Sequence, residues 1–287
     1  GGSKGNNTIQ KDYFLPSLNL KYNLNDKNSL RLGASKTYTL PQAKEISPYR
    51  YVGVNFNSQG NPNLKPSDHY NLDLKWDFNP TPTELISLTA FYKLIKNPIS
   101  RIEVASAGGY LSYENIADKA TVAGVEIEIR KNLFVRPVSN AAHGMNKLSL
   151  GLNGSYIYTN AKMPLATVTT GSQLEGAAPW IVNFDLSHNF TKGERSFVNT
   201  LVLNYVSDKI YTIGTQGYQD VMEQGVLILD FVSQAKLNKH LSLNLKARNL
   251  LNPSYKLSRK ANENGEKVIL NDYKKGINIS LGVSCTF

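Results

Sequence analysis

The chain has little of what most functional readings need. A single cysteine, Cys285, in 287 residues excludes a disulfide-stapled scaffold. No apolar run approaches the roughly 18–20 residues of a membrane helix, so a helical membrane protein is excluded as well. The four histidines, His69, His143, His188 and His240, are scattered without metal-ligand spacing, and GxSxG, phosphate-loop and HExxH patterns are all missing. No enzyme, metal or cofactor is therefore expected. The chain opens Gly1-Gly2-Ser3 with neither methionine nor signal peptide, so its front end is expected to be missing, processed or engineered. Cations are plentiful: 32 Lys+Arg against 22 Asp+Glu leave +10, for which no nucleic-acid partner is expected. A mean hydropathy of −0.32 looks soluble. A β-barrel gives the same total, because its lumen residues dilute its apolar stripes.

What the chain does have is alternation. In 276–287, Ile277, Ile279, Leu281, Val283, Cys285 and Phe287 take one face and Asn278, Ser280, Gly282, Ser284 and Thr286 the other. That is strict period two, the signature of a strand. The pattern recurs and predicts eleven strands, near 14–24, 29–39, 67–78, 84–95, 120–131, 147–159, 179–190, 197–206, 226–237, 241–250 and 277–287. Most run about 9–12 residues, longer than ordinary globular strands and suited to a tilted membrane crossing.

A soluble sandwich would also alternate. Two features favour the membrane. Charges sit deep within the strands on the polar face, among them Arg31, Asp73, Lys75, Glu126, Glu128, Arg130, Lys246 and Arg248. Facing lipid at mid-depth, a Lys or Arg costs about 2–4 kcal/mol, so these side chains are expected to point into a lumen, where they would meet a plug or pair across strands. Connection lengths also alternate. Segments 25–28, 79–83, 191–195 and 238–240 read as tight turns, whereas 40–66, 96–119, 160–178, 207–225 and 251–276 are long; only 132–146 breaks the rule. Short turns on one side and long loops on the other are the outer-membrane barrel pattern. The aromatics Tyr22, Trp76, Phe78, Tyr156, Tyr158, Trp180 and Phe190 fall near strand ends on the apolar face, where an interfacial girdle belongs.

If Phe287 ends at the periplasmic side, every long connection is extracellular. The odd strand count then starts the chain outside, with 1–13 as a loop remnant. A complete bacterial barrel has an even strand number, so the expectation is the C-terminal half of a larger barrel, without its plug.

Specific residues carry a family resemblance. Gly60-Asn61-Pro62-Asn63-Leu64-Lys65-Pro66-Ser67 looks like the "GNPxLKPE" element of TonB-dependent outer-membrane receptors, with Ser67 where Glu is common. Ala90-Phe91-Tyr92-Lys93 through Ile95, Asn97, Pro98 and Ile99 resembles that family's "FYxxIxNxI" strand end, and Val122 to Glu128 its "xxGxExE" strand. Arg248-Asn249-Leu250-Leu251-Asn252-Pro253-Ser254-Tyr255 resembles "NLLNxxY", Leu15-Pro16-Ser17-Leu18 fits "PSLxLxY" with Tyr22 in register, and Phe287 matches the aromatic terminus. The flavour resembles receptors of Bacteroidota.

The resemblance implies an all-β, antiparallel transmembrane barrel of which this chain is about eleven C-terminal strands of a plugged 22-stranded whole. It implies TonB-dependent uptake, across the bacterial outer membrane, of a scarce bulky ligand: siderophore, haem, cobalamin, glycan or peptide. The implied partners are the remaining N-terminal barrel and plug, the TonB complex acting through the plug, a surface lipoprotein, and outer-membrane lipids with lipopolysaccharide. Two other classes stay open: a structural or secretion-associated barrel that anchors partner proteins without transport, and a barrel enzyme using Asp68 and His69. Ligand contact is expected from the loops, at Tyr49, Arg50, Tyr51, Tyr110, Tyr113, Tyr211, Tyr218, Tyr255 and Tyr273, since tyrosine offers stacking area at low entropy cost. Loop 252–275 carries six Lys/Arg and three Asp/Glu, or +3, an expected basic rim for anionic lipopolysaccharide phosphates.

Overall fold

Alternating side chains give each strand one apolar and one polar face, and hairpin turns between them give a meander. The chain, seen in a computed structural model, is described over residues 12–54, 56–104, 109–138, 144–163, 171, 173–261 and 265–286. Phe287, His143 and the first eleven residues lie outside that range. In chain order the elements are β1 (Ser17–Asn25), β2 (Asn28–Thr39), the one-turn helix α1 (Ala43–Ile46), β3 (Arg50–Tyr51), β4 (Ser58–Gln59), β5 (Ser67–Phe78), β6 (Leu85–Lys96), β7 (Ile99–Val104) and β8 (Tyr110–Asn115). They continue with β9 (Lys119–Pro137), β10 (Met145–Ala161), β11 (Trp180–Lys192), β12 (Arg195–Val206), β13 (Lys209–Thr212), β14 (Val221–Glu223), β15 (Val226–Lys236), β16 (Leu241–Arg248), β17 (Ser254–Lys260), β18 (Lys267–Lys274) and β19 (Asn278–Cys285).

Eleven of these form one antiparallel sheet in the order β1-β2-β5-β6-β9-β10-β11-β12-β15-β16-β19, each pairing with the next long strand in sequence. They match the eleven strands expected from alternation. Among the described residues β1 and β19 each pair on one side only, and every residue of both is exposed. At one end the turns are tight for local reasons. Asn25 Oδ1 accepts hydrogen bonds from the backbone N–H of Lys27 and Asn28, at 3.0 and 2.9 Å. Asn238 does the same for His240 and Leu241, at 2.8 and 2.9 Å. These are side chains that mimic a backbone turn. Gly193, at φ 58°, supplies the left-handed residue between β11 and β12.

The structure corrects the sequence reading in two places. The odd connection 132–146 shrinks to 138–144, because β9 and β10 run on to 19 and 17 residues and are tied beyond their ends by Val138 N–H to the Gly144 carbonyl at 3.1 Å. A β-bulge where Phe134 and Asn132 face Leu148 and Ser149 breaks the alternation at Leu133 and hid the extension. The long connections are also not plain loops. Strands β3, β4, β8 and β7 form one four-stranded sheet, and β13, β14, β17 and β18 another. A parallel bridge between Ile102 and Ile213 joins them, with Glu103 N–H to the Ile213 carbonyl at 3.0 Å and Ile213 N–H to the Arg101 carbonyl at 3.1 Å.

The dry core lies here rather than in the wall. Ile102, Ile116, Leu174, Ile210 and Ile213 are buried together with Ala120 and Ala161 at the rim ends of β9 and β10. In the wall, Leu74, Leu88, Val125 and Leu281 are 52%, 48%, 49% and 72% exposed on the apolar face.

Candidate functional site

The register puts the strand charges on one face. Lys21, Arg31, Lys75, Thr89, Glu126 and Ser155 form a continuous cross-strand row, and Asp77, Ser87, Glu128 and Asn153 run beside it. Asp73, Arg130, Lys246 and Arg248 share this face, the last two opposite Ser280 and Asn278. The pairing is uneven. Asp77, 5% exposed, receives Arg31 at 3.2 Å and Lys75 at 3.5 Å. Glu128 pairs with Arg130 on its own strand, at 2.8 Å, rather than across strands. Asp73, Glu126, Lys246 and Arg248 are exposed and have no ion pair within 4.0 Å among the described residues. Gly124 sits on this face for a packing reason: a Cβ there would overlap the Phe91 ring and the Tyr156 carbonyl.

At the long-connection end the two small sheets face each other across a cavity of about 340 Å³. Period-two alternation directs the lining. Arg101 lies opposite Tyr113 in the β7–β8 hairpin, and Tyr255 opposite Tyr273 in the β17–β18 hairpin. Tyr255 and Tyr273 stack at 5.4 Å, with Lys275 Nζ 3.8 Å from the Tyr255 ring. Across the cavity Phe56 and Tyr211 lie 6.2 Å apart, and the Arg101 guanidinium covers the Tyr211 ring at 4.1 Å. Arg101 is anchored from a third connection by Glu175, Nη2 to Oε1 at 2.7 Å. Burial works against the Arg101 charge, but the Glu175 hydrogen bond and carboxylate outweigh it, so Arg101 holds its proton more tightly than usual. Burial pushes the Tyr113 phenol up, against the pull of Arg101, so it stays a neutral donor. Of the remaining lining charges, Lys256 is matched to Asp272 at 3.5 Å and Glu223 to Lys209 at 3.4 Å, while Lys44 lies over the Tyr51 ring at 5.5 Å. The cavity thus offers aromatic faces, phenols, a held guanidinium and one ammonium without an ion pair among the described residues.

Of the loop residues expected at a site, Tyr113, Tyr211, Tyr255 and Tyr273 converge on this cavity. Tyr110 lines a neighbouring cavity and carries the Arg50 guanidinium at 5.7 Å. Tyr49 and Tyr51 are exposed, Tyr51 beneath Lys44 at 5.5 Å, and Tyr218 lies under Arg259 at 5.3 Å. Arg101, Glu175 and Phe56 escaped the sequence reading. The clue at Arg101 was the Ile99-Ser100-Arg101-Ile102-Glu103-Val104 alternation inside a long connection. Asp68 and His69 do not form a dyad. Adjacent strand residues point to opposite faces, and the structure sends Asp68 towards Lys36 at 3.9 Å while His69 Nε2 meets Thr39 Oγ1 at 3.0 Å. Among the described residues no group of three or more His, Cys, Asp or Glu side chains is gathered to hold a metal.

Known outer-membrane proteins resemble this chain in sequence or in fold. The iron-regulated outer membrane virulence protein of Vibrio cholerae serotype O1 is 24% identical over 240 residues, 80% of this chain and 34% of that protein. The ferric yersiniabactin uptake receptor FyuA of Yersinia pestis superposes with a TM-score of 0.61 at 15% identity, covering 95% of this chain and 37% of that one. The copper transporter OprC gives 0.61 at 14%, over 93% and 39%. The chain therefore spans about a third of its curated relative and about two fifths of these receptors. The family model for TonB dependent receptor-like β-barrels matches residues 1–250, and the chain belongs to that outer-membrane receptor family.

Proposed function

We propose that this chain is the C-terminal wall and loop assembly of a receptor that imports a scarce, bulky ligand without changing it chemically. The long connections face outward and capture the ligand, the polar face lines the lumen, and a plug pulled by TonB opens the path. The observation that carries this reading is the cavity between the two small sheets, where side chains from four long connections converge. The open edges of β1 and β19 support the presence of closing strands, since each unpaired backbone group in lipid costs several kcal/mol. The unpaired charges Asp73, Glu126, Lys246 and Arg248 are the proposed plug contacts, and outer-membrane lipids and a surface lipoprotein are proposed neighbours of the rim and loops. Among ligands, the ferric yersiniabactin uptake receptor favours a ferric siderophore over haem, cobalamin, glycan or peptide, the iron-regulated Vibrio protein is in keeping with iron, and the copper transporter OprC keeps a metal ion in view.

The test uses the full receptor in its host. Cells are supplied with iron-55 on a panel of siderophores and haem, and with copper ion, with and without TonB. At least one probe is expected to enter only with TonB, and Tyr211→Ala with Tyr255→Ala is expected to slow that entry about tenfold or more, as for two stacking anchors lost together. Uptake that ignores TonB, or no uptake of any probe beyond receptor-null cells, would turn the reading towards an anchoring barrel.

A further inference from the structure

The apolar face of the wall ends, at the long-connection side, in a row that does not suit plain lipid. Register carries this row across adjacent strands: Tyr38 on β2 faces Asp68 on β5, Asp68 faces Lys96 on β6, and Lys96 faces Lys119 on β9. Ala120 pairs with Ala161, so Lys162 follows at the same height beyond β10. One residue pair deeper lie Lys36, Tyr70, Leu94, Thr121 and Asn160, and deeper again Leu72, Tyr92, Ala123 and Tyr158. From mid-wall to rim the rows pass from apolar and tyrosine side chains, through a mixed row with Tyr70 and Lys36, to Lys96, Lys119 and Lys162 beside Tyr38 and Asp68.

Three features separate this row from an ordinary solvated edge. Lys96 and Lys119 are direct cross-strand partners, and like charges placed opposite each other destabilise a sheet. Lys96, Lys119 and Lys162 are exposed, and among the described residues none has a carboxylate within 4.0 Å; the acid of the row, Asp68, lies by Lys36 at 3.9 Å. Lys36 and Lys96 straddle the Tyr70 ring, at 5.6 and 5.3 Å, which holds their ammonium groups on the apolar side of the rim. Towards β15 the apolar-face positions nearest this end carry aromatic and apolar side chains: Trp180 on β11 faces Tyr156, and Tyr205 on β12 faces Leu227 on β15. The lysines of the row lie between β2 and the end of β10.

We infer that Lys96, Lys119 and Lys162, backed by Lys36 and Tyr70, form a binding site for the phosphate groups of an anionic lipid in the leaflet at the long-connection end. The phosphates bridge ammonium groups that would otherwise repel, while the acyl chains lie along the apolar stripe below Tyr92 and Tyr158. The site supplies compact ammonium charges rather than a guanidinium fork, which fits phosphate held as a point charge. It lies on the outside of the wall, separate from the cavity between the small sheets. The choice of the outward leaflet rests on the orientation proposed above.

The full receptor in neutral detergent, titrated with diphosphorylated lipid A and followed by native mass spectrometry, tests the site. Lys96→Gln with Lys119→Gln is expected to weaken lipid A binding about thirtyfold, at roughly a factor of five per lysine. The charge-matched pair Lys192→Gln with Lys239→Gln, at the other end of the wall, is expected to leave it unchanged. Lipid A stripped of phosphate should bind the native receptor as weakly as the first variant binds intact lipid A. Equal binding by native receptor and first variant, or equal loss in both variants, would overturn the site. Displacement of lipid A by millimolar inorganic phosphate would overturn its assignment to a lipid. Orientation is read separately on intact cells: an impermeant thiol reagent should label Lys260→Cys and spare Glu194→Cys. Reversed labelling would sink the leaflet while leaving the micelle titration to judge the site.

Discussion

Wall and loop assembly solve burial in opposite ways. The eleven-stranded wall keeps its large apolar side chains on an outer face, where Leu281 and Leu74 are 72% and 52% exposed, and relies on ladder hydrogen bonds for cohesion. The loop assembly, built from short strands of four to eight residues for the most part, packs Ile102, Ile210, Ile213 and Val221 to near-complete burial. Its joints are polar and long-range: Arg101 to Glu175, and Arg259 to Glu103, 156 residues apart in sequence. The difference teaches where each solvent sits. A wall whose apolar face meets lipid needs no dry interior, whereas loops that leave the membrane must make their own core.

That comparison can be broken in the full receptor, beginning with the core of the loop assembly. Ile213→Ala removes a fully buried side chain at the bridge between the small sheets and should cost about 2–5 kcal/mol. Hydrogen exchange should accelerate in β7 and β13 while β11 and β12 keep their protection; equal loss in both would mean the two regions are one cooperative unit. On the wall, Leu281→Arg should cost about 2–4 kcal/mol in the membrane and depress outer-membrane yield, while Ser280→Arg, one residue away on the polar face, should be tolerated. Similar yields would refute the assignment of faces. The smallest effect is inside the polar face. Gly124→Ala should cost about 1–3 kcal/mol by overpacking against Phe91. Adding Phe91→Leu should recover part of it in thermal unfolding, and no recovery would place the strain at the Tyr156 carbonyl instead.

Much of the wall was legible because its signal is local. Leu148, Leu150 and Leu152 alternate with Ser149 and Gly151 whatever the rest of the chain does, and Asn25 and Asn238 mark their own turns. The bulge beside Leu133 hid the ends of β9 and β10, since one extra residue exchanges the faces. The cavity was only half legible. Its tyrosines stood out by type, but Arg101 and Glu175 gain meaning only when two connections 74 residues apart meet. The Asp68–His69 pair failed for the converse reason: neighbours in sequence, they are parted by the pleat.

The sequence by itself determined the strands, their faces, the short turns and the family, because period-two alternation and turn chemistry act over a few residues. Tertiary structure alone decided which connections pair into the two small sheets, which four tyrosines share a cavity with Arg101, and that lysines from β2, β6, β9 and just beyond β10 gather at one rim. Those arrangements depend on cross-strand register summed over the whole meander, and no window of sequence contains it.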